Sequence, residues 1–208
     1  MPRHQRQVQI VWGHKTTNLD EKIDDIIPWV RESGRPYYDA FFDGVDTDEI
    51  IDRWLRRRSS ELSLRRTRLA VADDRIAGGY IALPGSEVAG CRQADLLDLA
   101  RSIDDHSYSD LRDRMRGFSD LFAPVDTHDF YLSKIGTRPE IDDRELEIPL
   151  MEDCLSRAEH GGFGRVRIDV PEDDEDSRGF YETYGFRPIH RGKDDQGRLC
   201  YLSMVCNV

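Results

Sequence analysis

Residues 130–170 read FYLSKIGTRPEIDDRELEIPLMEDCLSRAEHGGFGRVRIDV, and the reading of this run decides the architecture. An apolar stretch, FYLSKI, breaks at residues 136–139 with Gly136 and Pro139. A helical run follows and closes at Gly161 and Gly162, after which VRIDV alternates at period two. The order is strand, turn, helix, strand. A helix N-terminus aimed out of the end of a strand attracts anions, because its first amides lack backbone partners and the macrodipole adds positive potential. This sequence places acid there instead: Glu140, Asp142, Asp143, Glu145 and Glu147 crowd the turn and the first helical residues, with Arg144 alone opposing them.

Together with FYETYGF at residues 180–186, the stretch resembles the GNAT superfamily of N-acetyltransferases. Pro139-Glu140 matches the family's usual Pro-Glu, Leu150-Met151 its paired apolar positions, and Gly162 its helix stop. The resemblance implies an α/β (α+β) fold, a mixed central sheet of about seven strands flanked by helices, with acetyl-CoA or another acyl-CoA as cofactor. The family holds the cofactor's pyrophosphate in a Q/R-x-x-G-x-G/A loop, which falls here on residues 142–147. Asp142 stands at the basic or amide position, and Glu145 and Glu147 stand at the two glycine positions. Glycine allows the backbone to approach phosphates closely; a side chain and a negative charge both oppose that approach.

The chain has 208 residues, a length that suits one domain with a sizeable core. Within 1–208 the reading places N-terminal helices over 18–62, a helical insertion over about 90–123 and the acyl-CoA half over 128–206. Charged residues make up 34% and the net charge is −11, which argues against nucleic acid or an anionic membrane as partner. No apolar run approaches the roughly 18 residues of a membrane span, and the start lacks a signal-peptide core. Cys91, Cys154, Cys200 and Cys206 show no metal spacing and suggest a reduced, cytoplasmic protein with buried thiols and no metal site.

Working outward, residues 7–13 form an edge strand. Residues 18–34 follow as a helix capped by Asn18, interrupted by Pro28 and ended by Gly34. Tyr37, Tyr38, Phe41 and Phe42 either pack the core or shape an acceptor pocket, the latter on the resemblance. A helix over 47–62 carries Ile50, Ile51, Trp54 and Leu55 inward. Its basic tail, with Arg56, Arg57, Arg58, Arg65, Arg66 and Arg68, reads as a solvated face paired with neighbouring acids, or alternatively as a phosphate contact. Residues 68–83 read as a hairpin turning at Asp73-Asp74, with Gly78 and Gly79 marking a bulge or a close ligand approach. The two-helix insertion after the third strand either covers the acceptor side or makes a subunit contact, as in a homodimer. Residues 174–184 have helical spacing, a strand starts at Gly185-Phe186, and 199–206 form a last strand.

The family chemistry is attack of an amine on a thioester, with a base for the amine proton and an acid for the leaving thiolate. The resemblance implies Tyr181 as acid. Period two sets Asp129, Tyr131 and Ser133 on one face of the fourth strand. Tyr131 falls where some members carry a glutamate, and Asp129 is the nearest carboxylate on that face, so both are candidates for the base. By the resemblance, Ile135, Gly136 and Thr137 pair with the pantetheine arm, Arg144 and Leu146 belong to the cofactor loop, and Tyr37, Tyr38 and Ser133 meet the acceptor. The expected activity is acyl transfer to a small-molecule amine. The acids in the loop also suit a protein of this fold that has abandoned CoA, either for another small-molecule reaction or as a non-catalytic binding subunit.

Overall fold

The strands send side chains to two faces, and each face is covered by its own helices. The computed structural model describes residues 8–103, 105–141 and 144–208, without the side chains of residues 19, 105–107 and 144. The strands are β1 (Gln9–Trp12), β2 (Thr67–Ala72), β3 (Arg75–Pro84), β4 (Asp129–Thr137), β5 (Arg165–Pro171), β6 (Arg187–Lys193) and β7 (Cys200–Asn207). They make a seven-stranded sheet in the order β1-β2-β3-β4-β5-β7-β6, antiparallel except for β4 and β5. The mixed sheet of about seven strands that the resemblance implied is therefore present.

One face carries α1 (Leu19–Glu32), α2 (Tyr37–Phe41), α3 (Thr47–Arg56), α4 (Gly85–Ser102) and α5 (Asp105–Gly117). Ile26, Trp29, Val30, Ile51, Trp54 and Leu55 pack there with Leu69 and Ile81 of the sheet. The other face carries α6 (Arg144–His160) and, through Tyr181, α7 (Glu175–Thr183). Leu150, Met151, Cys154 and Ala158 of α6 pack on Phe130, Leu132, Val166 and Ile168. Among the described residues no helix is long and apolar enough to cross a membrane.

Local chemistry explains several boundaries and moves others. Asp73 and Asp74 both take positive φ, 51° and 61°, as a two-residue hairpin turn requires. The helix read over 47–62 stops at Arg56, and its N-cap is Asp46, whose carboxylate accepts from the Asp48 and Glu49 amides. Beyond it the chain turns inward and buries Ser60, Glu61, Leu62, Ser63 and Leu64. Pro28 does not interrupt α1, which continues to Glu32, and Asn18 sits at its N-cap in the left-handed region without a side-chain bond. The basic cluster is largely paired: Arg56 with Asp20 and Asp52, Arg57 with Asp98, Arg66 with Glu87, and Arg68 with Asp153.

Two features of β4 set up the site. Its pairing with β3 slips between Ile81 and Ala82, which face Lys134 and Leu132, so Ser133 bulges out of the ladder. Its pairing with β5 is confined to Asp129–Arg165, Phe130–Val166 and Tyr131–Arg167. Beyond Tyr131 the two strands part.

Candidate functional site

The parting of β4 from β5 leaves space on both sides of the sheet's midline, and the bulge determines what faces it. Strict alternation would send Ser133 and Lys134 to opposite faces. With the extra residue, Ser133 bonds the Glu61 carboxylate and Lys134 Nζ lies 4.9 Å from the centre of the Tyr38 ring, so both project towards α2. Ile135 returns to the α6 side.

A chamber of about 240 Å³ lies under α2, α4 and α5. Aromatic rings form its walls: Tyr37 meets Phe118 and Phe122 edge-on, Phe122 meets Tyr201, and Phe42 meets Trp54. Its floor is polar. Arg92 of α4 donates to Glu61 at 2.8 Å and to the Tyr131 hydroxyl at 2.8 Å, and Tyr131 donates to Asp169 at 3.1 Å. Asp169 also accepts from Arg167 and Ser203, each at 2.7 Å. Burial would raise the Glu61 pKa, but Arg92, Lys134 and the Ser133 bond outweigh it and hold the carboxyl below its ordinary value. Burial lowers the Lys134 pKa, with Glu61 opposing, and burial raises that of Tyr131 against the pull of Arg92.

A second cavity of about 410 Å³ occupies the gap between β4 and β5. Ile135, Gly136 and Thr137 line one side, Ile168, Asp169 and Val170 the other, with Trp29, Glu147 and Tyr181 around them. The two cavities share Ser33, Ser133, Lys134, Asp169 and Pro171 as lining residues. They therefore meet at the bulge.

The structure gathers most of the residues singled out from the sequence. Tyr37, Tyr38 and Tyr131 line the chamber, Ser133 lines both cavities, and Tyr181 lies in the cleft with Ile135, Gly136 and Thr137. Asp129 is not brought to either: it is buried at the paired end of β4, where Arg165 holds it at 2.8 Å. The Leu146 side chain packs against the sheet with Ala72 and Ala77, outside the cleft. Of the acids, Glu145 is exposed and Glu147 reaches the cleft, while Glu140 pairs with Arg138. Asp142, Asp143 and the Arg144 side chain lie outside the described residues.

Glu61, Arg92, Lys134 and Asp169 are the site residues that sequence reading missed. Lys134 is hidden by the bulge, and Glu61 by a stretch, RRRSSEL, that continues the polarity of the preceding helix. Arg92 sits in the α4 segment, which sequence reading treated as a cover or a subunit contact without singling out a residue. Asp169 carried a legible signal: in VRIDV it is a carboxylate two residues from Arg167 on one strand face.

No protein-family model matches the chain, and no curated protein sequence matches it. Solved structures do. An N-acetyltransferase from Staphylococcus aureus Mu50 superposes with a TM-score of 0.66 at 13% identity, over 89% of this chain and 96% of its own. A GNAT-family acetyltransferase from Listeria monocytogenes 4b F2365 gives 0.53 at 15% identity, over 100% and 99%. The PaiA N-acetyltransferase of Thermoplasma acidophilum, solved in complex with coenzyme A, gives 0.51 at 15% identity, over 97% and 99%. The fold is thus that of the GNAT acetyltransferases, as the motifs at residues 130–170 and 180–186 implied. At these identities the likeness concerns the fold, and fold alone does not assign a reaction.

Proposed function

We propose that the protein transfers an acyl group from an acyl-CoA to the amine of a small molecule. The observation that carries this reading is the shared wall: an aromatic chamber and a cleft between parted strands meet at Ser133, Lys134 and Asp169. An amine in the chamber and a thioester in the cleft would meet there, which supplies the proximity that acyl transfer needs.

The residues have distinct parts in this reading. Asp169 lines both cavities and receives the proton of the amine as its nitrogen bonds to the thioester carbonyl carbon. Tyr131 and Arg167 orient Asp169 through the bonds described above. Lys134 is half-buried at the junction, and its ammonium stabilises negative charge developing on the carbonyl oxygen. When the carbon–sulfur bond breaks, Tyr181 protonates the departing thiolate.

The pantetheine end of such a donor suits the gap left beside Ile135, Gly136 and Thr137. The diphosphate end suits it less, since Glu147 lines the cleft where the family pattern has glycine. A partly desolvated like-charge contact costs roughly 4 kcal/mol, against about −8 kcal/mol for a micromolar complex. This observation favours a second reading, in which the cleft no longer takes CoA and the chamber serves another small-molecule reaction or simple binding. Incubating the protein with acetyl-CoA and a panel of primary amines, and following free thiol and acetylated amine together, separates the two. Coupled appearance of both products is expected; thiol release without acetylated amine, or neither product, overturns acyl transfer.

A further inference from the structure

Among the described residues that line the chamber, Asp95 is the one charged side chain with a buried atom that lacks a hydrogen-bond partner. Glu61 is held by Arg92 and Ser133, Asp169 by Arg167, Ser203 and Tyr131, and Lys134 by the Ser133 carbonyl at 2.9 Å. Asp95, one turn of α4 beyond Arg92, is 5% exposed and lines the same chamber. Its Oδ2 accepts the Glu61 amide at 2.9 Å with the Ser60 hydroxyl close by, but its Oδ1 has no hydrogen-bond partner among the described residues. Leaving a buried carboxylate oxygen unsatisfied costs the full desolvation of that group, and an acceptor kept so in a cavity wall is explained by a donor that arrives with a ligand.

Its surroundings narrow the ligand. Trp54, Leu62 and Leu96 border the same chamber as Asp95, while the reacting junction is at Ser133 and Lys134. The volume, about 240 Å³, equals the liquid volume of about eight waters and falls below the roughly 300 Å³ at which drug-sized sites begin. That is room for one ring and a short chain. The edge-on ring pairs of the wall present a surface suited to a flat apolar body.

We infer that the chamber takes a one-ring primary amine carrying a second hydrogen-bond donor, a hydroxyl or amino group on the ring, and that Asp95 Oδ1 accepts from that donor. The inference rests on the acyl-transfer reading for the role of the ligand, though not for its binding. Asp95 is a specificity residue, and the amine to be acylated lies at the other end of the ligand.

The test uses 2-phenylethylamine, tyramine and 4-methoxyphenethylamine, which share a skeleton and differ only in the group offered to Asp95. Calorimetry without acyl donor reads binding, and acetyl transfer from acetyl-CoA reads kcat/KM, for wild type and Asp95→Asn. Wild type is expected to prefer tyramine to 2-phenylethylamine by ten-fold or more in affinity. Asp95→Asn keeps an acceptor for the Glu61 amide and turns a donor to the chamber, so the preference should collapse and shift towards the methoxy compound. Tyramine preference in binding with no acetyl transfer leaves this inference standing and removes the acyl-transfer reading. Transfer or binding with equal affinity for tyramine and 2-phenylethylamine overturns the inference, as does absence of binding by all three at millimolar concentration. Should Asp95→Asn fail to fold, the wild-type ratio decides by itself.

Discussion

Asp95 also makes a statement about stability. Burial raises its pKa from the ordinary 3.8 to about 6, while the Glu61 amide and Ser60 pull the other way. Between those values the folded protein keeps a proton that the unfolded chain has released, so this group's contribution to stability is complete below about pH 4 and is lost as pH rises through about 6. The loss amounts to about 3 kcal/mol at most. Denaturant titrations from pH 4 to 7 should therefore show wild type losing stability relative to Asp95→Asn; parallel curves would mean that the carboxyl is not raised. Tyr181 is the other residue whose part can be isolated. Replacing it with Phe keeps the ring in its contact with Phe186 and removes only the hydroxyl. In steady-state assays kcat should fall about a hundred-fold with the amine KM unchanged, and an unchanged kcat would assign the thiolate's proton elsewhere. Tyr181 was legible because it precedes the Tyr-Gly-Phe at 184–186. Asp95 was not, since an acid on a helix with 34% charged residues around it in the chain looks like any solvated position.

At the scale of elements, the site is made by irregularities in otherwise regular strands. The βhairpin turning at Asp73-Asp74, the helix ending at Gly161-Gly162 and the alternation of VRIDV were readable because turn chemistry and period two act within a few residues. The bulge at Ser133 was not, because it is imposed by pairing with a strand about fifty positions away in the chain. Gly78 lies opposite Thr137 in that pairing, and a Cβ there would come within 2.4 Å of the Gly136 carbonyl oxygen. Of the two roles read for the Gly78–Gly79 pair the bulge is present, at Ala77 where Ala70 faces Gly78 and Val71 faces Ile76, and the close contact is with a neighbouring strand. Gly78→Ala should cost about 1–3 kcal/mol in chemical denaturation, as overpacking generally does, and should weaken the amine affinity by displacing Ser133 and Lys134. A variant as stable as wild type would mean that β3 and β4 can separate without loss. The end of α3 at Arg56 shows the converse limit: the apolar stripe to Leu55 was legible, but the inward turn that buries Glu61 depends on Arg92 and Ser133, which lie far along the chain.

For the molecule as a whole, the layered order of strands and helices followed from the sequence, while the meeting of two cavities at one bulge emerged only from the fold. The insertion read over 90–123 corresponds to α4 and α5 and the segment after them, and it contributes Arg92, Asp95, Phe118 and Phe122 to the chamber. In the proposed acyl-transfer reading the chamber is the acceptor side, and this segment forms part of its wall. The unresolved tension of the design lies at the other cavity, where parted strands suit a pantetheine arm and Glu147 opposes the phosphates beyond it. Replacing Glu145 and Glu147 with Gly removes both acids from the loop and provides the comparison. Isothermal titration of acetyl-CoA into wild type and the Glu145→Gly/Glu147→Gly variant addresses the use of CoA without depending on knowledge of the amine. The account predicts micromolar binding by wild type and tighter binding by the variant, since an opposing charge is removed from the cleft; no binding by wild type at millimolar acetyl-CoA would contradict it.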